Sequence, residues 1–126
     1  MQRSWPIKGI PSIGGTGAKY IKLILTTDPA AVIANSDCIV IVIPSAYVDH
    51  ALRGLDKNIF AGKKVISAIK GILPESNLLL NEYLKNEFNV ELADYFAVLG
   101  PCHAEEVASE KLSYLTFTGI DKKTTH

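Results

Sequence analysis

An α/β fold, with a mostly parallel sheet flanked by helices, follows from three observations on this sequence. The first is a continuous apolar, β-branched run from Cys38 to Ile43, closed by Pro44-Ser45. Such a run reads as a strand covered on both faces, as the strands of parallel sheets are. The second is the recurrence of strand-type runs at Lys64 to Ile69 and Tyr95 to Leu99. The third is that helix-type segments separate all three. Strands alternating with helices imply right-handed βαβ units on a parallel sheet.

Taken in order, residues 1–19 are rich in Gly, Pro and Ser and show no clear periodicity, so they read as a leader. Tyr20 to Leu25 predicts a short strand. Asp28-Pro29 opens a short helix through Ala34, with Asp28 as N-cap and Pro29 at the first position. Ser45 is placed to cap a helix that runs to about Leu55. After the Lys64 to Ile69 strand, Pro74 to Phe88 reads as one amphipathic helix, with Leu79, Leu80, Tyr83, Leu84 and Phe88 near one face. His103 to Ser109 reads as a short helix and Leu112 to Thr118 as a last strand.

The composition bounds the function classes. A chain of 126 residues, 48% of them apolar, holds one domain or a piece of one, with a core. Its 13 basic and 13 acidic side chains balance without a basic cluster, which argues against a nucleic-acid partner. The longest apolar run, Cys38 to Ile43, falls far short of the ~20 residues of a membrane span. No apolar stretch of signal-peptide length begins the chain. Reduced cysteines in a cytoplasmic protein are therefore expected.

The candidate sites lie at strand ends. Tyr95 to Leu99 runs into Gly100-Pro101-Cys102-His103-Ala104-Glu105-Glu106-Val107. Gly allows close backbone approach, and Pro suits a helix entry. The first N–H groups of that helix lack intrahelical partners and carry the positive end of its dipole, so the turn is able to bind an anion or a polar substrate group. Upstream, Lys70-Gly71 ends the Lys64 to Ile69 strand. There the lysine is either a solvated loop residue or a fixed charge that orients a hydroxyl, carbonyl or phosphate. Pro44-Ser45-Ala46-Tyr47 follows the Cys38 to Ile43 strand at its carboxyl end. Tyr47 either packs on a nicotinamide or ribose or is part of the core behind an ordinary capped turn.

Other patterns carry less. Gly15-Thr16-Gly17-Ala18-Lys19-Tyr20 lacks the third glycine of a dinucleotide fingerprint, and no acidic partner stands ~20 residues on. Cys102 and His103 are adjacent, and side chains so placed near a helix start diverge. Cys38, Cys102, His50, His103 and His126 show no zinc-ligand spacing, so no metal is expected. His50 reads as a helix-surface residue. Glu105 and Glu106 suit the first turn of a helix.

Three stretches together, Ser36 to Ser45, Val65 to Ile72 and Val98 to Ala108, resemble bacterial NAD(P)-dependent glycerol-3-phosphate dehydrogenase in order and spacing. The resemblance runs from about Leu25 to the end of the chain. It implies an incomplete Rossmann-like dinucleotide-binding domain over residues 20–126. The helical substrate domain, which carries the proton-transfer lysine, is then absent, and no catalytic residue is expected in this chain. The implied reaction is hydride transfer between NAD(P)H and dihydroxyacetone phosphate, giving sn-glycerol 3-phosphate for glycerophospholipid synthesis. NAD or NADP is the implied cofactor. The resemblance assigns Lys70, Gly100 and Cys102 to substrate, and Pro44, Tyr47, Lys70 and Ala104 to the dinucleotide. The family usually has a hydroxyl residue where Cys102 stands here. On this reading the chain alone is inactive and self-associates through the surfaces that missing units would cover. The alternatives are another Rossmann-type dehydrogenase, acting on a hydroxy acid or sugar phosphate, and a non-catalytic remnant that pairs with another chain.

Overall fold

The structure is a computed structural model that describes residues 3–6, 22–100, 105, 108–109, 111–112 and 114–120. Its elements in chain order are β1 (Arg3–Pro6), β2 (Lys22–Leu25), α1 (Pro29–Ala34), β3 (Cys38–Ile41), α2 (Val48–Leu52), β4 (Lys64–Ser67), α3 (Leu80–Phe88), β5 (Tyr95–Leu99) and β6 (Thr116–Thr118). The main sheet has the order β3-β4-β5-β6. Strands β3, β4 and β5 run parallel, and β6 returns antiparallel to β5. The expected α/β architecture is thus present, with an antiparallel edge strand added. β1 and β2 form a separate antiparallel pair. The leader expected over residues 1–19 therefore holds a strand, which four residues ending in proline do not announce.

Local chemistry accounts for the helix boundaries. Asp28 caps α1 by accepting from the N–H groups of Ala30 and Ala31 at 3.0 and 3.3 Å, and Pro29 starts the helix, as predicted. At its far end the Asn35 side-chain amide donates to the Ala31 carbonyl, and the Ser36 hydroxyl donates to that of Val32. The Ser36 hydroxyl thus takes the Val32 carbonyl that a longer helix would give to the Ser36 N–H, which turns to the Ile33 carbonyl instead. The expected Ser45 cap is not made. Ser45 to Tyr47 form a 3₁₀ turn after Pro44, and the α-helix is confined to Val48–Leu52.

The expected helix from Pro74 begins instead at Leu80. Residues 73–78 close on themselves: the Leu73 N–H donates to the Leu78 carbonyl, and the Asn77 N–H donates to that of Leu73, both at 2.8 Å. Asn77 adopts φ 56°, a conformation that no residue inside a right-handed helix holds. Glu82 then accepts from the Leu79 N–H at 3.1 Å and fixes the new helix start.

The core lies on one face of the sheet. Ile39 and Ile41 of β3 and Val65 of β4 meet Ile33 of α1, Val48 and Leu52 of α2, and Leu80, Tyr83, Leu84 and Phe88 of α3. Phe60 stacks edge-on against Phe88 at 5.3 Å. The opposite face is uncovered among the described residues. Val40 is 57% exposed and Val42 66%, with Cys38 exposed on the same side of β3. This corrects the reading of Cys38 to Ile43 as covered on both faces. Phe96 is the buried exception on that side. It lies against the Gly119 backbone, with the Lys64 ammonium 5.8 Å from its ring centre.

Candidate functional site at the strand ends

The parallel register builds the site. Ile41, Ser67 and Ala97 stand side by side as one row across β3, β4 and β5. The Ala68 N–H donates to the Ile41 carbonyl at 3.1 Å just past that row. Pro44, Lys70 and Gly100 each follow that row by three residues, past the carboxyl ends of their strands. Three residues chosen from separate stretches of sequence are thereby brought to one edge.

Lys70 and Gly100 meet directly. The Lys70 ammonium donates to the Gly100 carbonyl at 3.2 Å, bridging the exits of β4 and β5. Gly71 follows with φ +84°, the left-handed turn that carries the chain away and leaves the lysine exposed. The turn behind it is held by Ser67, whose hydroxyl accepts from the Ile69 N–H at 3.1 Å. Gly100 is glycine for a packing reason as well. A Cβ there would run into the Tyr114 carbonyl oxygen, on the segment that enters β6.

At the β3 exit the Tyr47 N–H donates to the Pro44 carbonyl at 2.9 Å, and the Tyr47 ring is 63% exposed. Tyr47 therefore stands outside the core. Cys102, His103 and Ala104 lie outside the described residues, as do Pro101 and Glu106. Glu105 is helical, and its carbonyl accepts from both the N–H and the hydroxyl of Ser109. His50 is exposed on α2. Among the described residues no three His, Cys, Asp or Glu side chains gather as a metal site.

Sequence reasoning passed over two contributors. Ser67 was available as the one hydroxyl in the strand leading to Lys70. The Tyr114 carbonyl was not, because a backbone group carries no residue signature. A separate cavity of about 420 Å³ lies against α2 and α3, lined by Asp49, Arg53, Glu75, Tyr83 and Glu87 among others. It includes none of Pro44, Tyr47, Lys70 or Gly100. Its arginine is already paired with Glu75 at 3.0 Å.

Residues 19–125 match the family model described as NAD-dependent glycerol-3-phosphate dehydrogenase N-terminus. The chain belongs to this family. It is 31% identical over 95 residues to a glycerol-3-phosphate dehydrogenase (NAD(P)+) of Oceanobacillus iheyensis, a match over 75% of this chain and 28% of the relative. It is 33% identical over 101 residues to the protein of the same name from Neorickettsia sennetsu, over 80% of this chain and 30% of that one. A solved glycerol-3-phosphate dehydrogenase from Plasmodium falciparum superposes with a TM-score of 0.63 at 29% identity, covering 77% of this chain and 27% of that chain. The matches thus span between a quarter and a third of the length of these glycerol-3-phosphate dehydrogenases.

Proposed function

We propose that this chain supplies the substrate-facing strand ends of a glycerol-3-phosphate dehydrogenase, which reduces dihydroxyacetone phosphate to sn-glycerol 3-phosphate with NADH or NADPH. The bond from Lys70 to Gly100 carries this reading, because it holds a cation open to solvent at the carboxyl edge of a parallel sheet. Ligands of doubly wound sheets bind along that edge. An ammonium has three donors, and one is spent on the Gly100 carbonyl. The remaining donors are free to meet a substrate oxygen and to stabilise negative charge as it develops there.

A dinucleotide fits the neighbouring strand end. Pro44 has no N–H to satisfy, and the exposed Tyr47 ring offers a flat apolar face to a heterocycle. NAD or NADP, when bound, supplies the hydride. Pro44, Tyr47, Lys70 and Ala104 are assigned to holding it, and Lys70, Gly100 and Cys102 to the substrate, in a dinucleotide-binding domain over residues 20–126. The product serves glycerophospholipid synthesis in the cytoplasm. No described helix is long and apolar enough to cross a membrane. The exposed Val40 and Val42 support self-association through the uncovered sheet face.

The test is a ¹H–¹⁵N NMR titration with dihydroxyacetone phosphate and with NADH. Shifts are expected to concentrate at residues 43–47, 69–71 and 99–100. Saturating additions that leave those amides unmoved would overturn the reading.

A further inference from the structure

Ser67 is an anomaly in the core-facing row. It stands between Ile41 and Ala97, is 3% exposed, and places a hydroxyl where the sheet packs apolar side chains. Burying a hydroxyl is costly unless it is bonded. The bond it makes runs to the Ile69 N–H, two residues along its own chain. Strand pairing with β5 has ended at Ser67, and the pairing bond with β3 uses the Ala68 N–H. The Ser67 hydroxyl is thus the acceptor that this turn offers the Ile69 N–H as the chain leaves the sheet. Lys70 follows at once, and its ammonium lands on Gly100 at 3.2 Å.

We propose that Ser67 is a positioning residue of the strand-end site: its buried hydroxyl fixes the turn after β4 and so holds the Lys70 ammonium against the Gly100 carbonyl. Its bearing on substrate rests on the function proposed above, but the positioning itself does not. The Ser67 hydroxyl is buried and bonded to the Ile69 N–H. It acts through the direction it gives to the chain.

Three variants test this on the full chain. Ser67→Ala removes the acceptor. Ser67→Cys keeps the shape but has only a weak acceptor. Ser67→Thr keeps the hydroxyl. The readouts are hydrogen exchange at the Ile69 amide and the labelling rate of Lys70 by acetic anhydride, relative to exposed Lys57, both without substrate. Loss of one hydrogen bond predicts about tenfold faster exchange at Ile69 in the Ala and Cys variants. Labelling of Lys70 is expected to rise several-fold in both while Lys57 is unchanged, and Ser67→Thr is expected to restore the native rates. A general loosening would raise both lysines together and overturn the proposal. So would native Lys70 labelling in a folded Cys variant, which keeps the test decisive if threonine proves too large for the site. Because no substrate is present, these results stand apart from the titration that tests the function.

Discussion

Tyr83 of α3 and Asp49 of α2 line the same cavity, two polar side chains that are 8% and 9% exposed, and the Asp49 carboxylate acts on the Tyr83 hydroxyl. Burial pushes the Tyr83 hydroxyl up to about 12, and the charge of Asp49 and the hydrogen bond to it add to the rise.

This contact predicts an alkaline transition. An unfolded tyrosine ionises near 10, and the folded one is held above that value. The neutral hydroxyl is therefore favoured by folding. Its contribution is fully present below pH 10 and is lost as pH rises toward 12, at most on the order of 2–3 kcal/mol. Urea titrations at pH 8 to 12 are expected to show that fall. Tyr83→Phe is expected to remove most of the slope while costing about 1–3 kcal/mol at neutral pH, because Asp49 loses its donor. An unchanged slope would show that the alkaline loss arises elsewhere.

Lys70→Ala is expected to act on chemistry and not on the fold. The side chain is exposed, so stability should move by less than about 0.5 kcal/mol. In a whole glycerol-3-phosphate dehydrogenase carrying this site, loss of one electrostatic contact of this kind raises the barrier by ~2.7–4 kcal/mol. The measurement is kcat/KM beside a melting curve. A near-native kcat/KM would mark Lys70 as an ordinary solvated loop residue.

Gly100→Ala is expected to open the β5–β6 edge. The added Cβ meets the backbone carbonyl of Tyr114, which cannot swing aside as a side chain would. An overpacked site of this sort costs about 1–3 kcal/mol. Gly119→Ala meets the Phe96 ring instead, with Cε1 at 2.7 Å, and a ring is able to turn. The smaller loss is therefore expected at Gly119. Paired melting curves decide the order.

The one-sided core makes a further contrast. Leu84 is fully buried, and Leu84→Ala should cost about 2–5 kcal/mol. In protein dilute enough to be monomeric, Val40→Ala on the other face of the sheet should change stability by no more than about 0.5 kcal/mol. Equal losses would then mean that another part of the chain covers Val40, with light scattering checking that the sample is monomeric.

Cys38 is expected to alkylate readily in the folded protein when it is dilute enough to be monomeric. The outward side of β3 leaves its thiol exposed and free of a disulfide. Iodoacetamide labelling read by peptide mass spectrometry should give a folded-state rate close to that in urea. Strong protection would place a covering surface over this face, as the continuous apolar run first suggested.

Much of the site was legible before the fold. Pro44, Lys70 and Gly100 stand where strand-type runs break into turn residues, and parallel strands bind ligands at that end. The alignment of the strands that carry them was not legible, because register is a relation between strands distant in sequence. Ser67 illustrates the limit. A serine in a strand is common, and only its burial and its bond to the Ile69 N–H make it part of the turn that holds Lys70.

The sequence by itself determined the order and kind of the main elements, the α1 cap at Asp28, and the strand-end residues, because these depend on local composition and spacing. Tertiary structure decided where α3 begins, since the Leu73 N–H bonds the Leu78 carbonyl and the Asn77 N–H bonds that of Leu73, which leaves Pro74 outside the helix. It also decided that β6 runs antiparallel and that residues 3–6 pair with β2, since pairing is chosen between chain segments and not within them. And it decided that Val40 and Cys38 face outward. An apolar run states what its side chains are, whereas their burial depends on what packs against them.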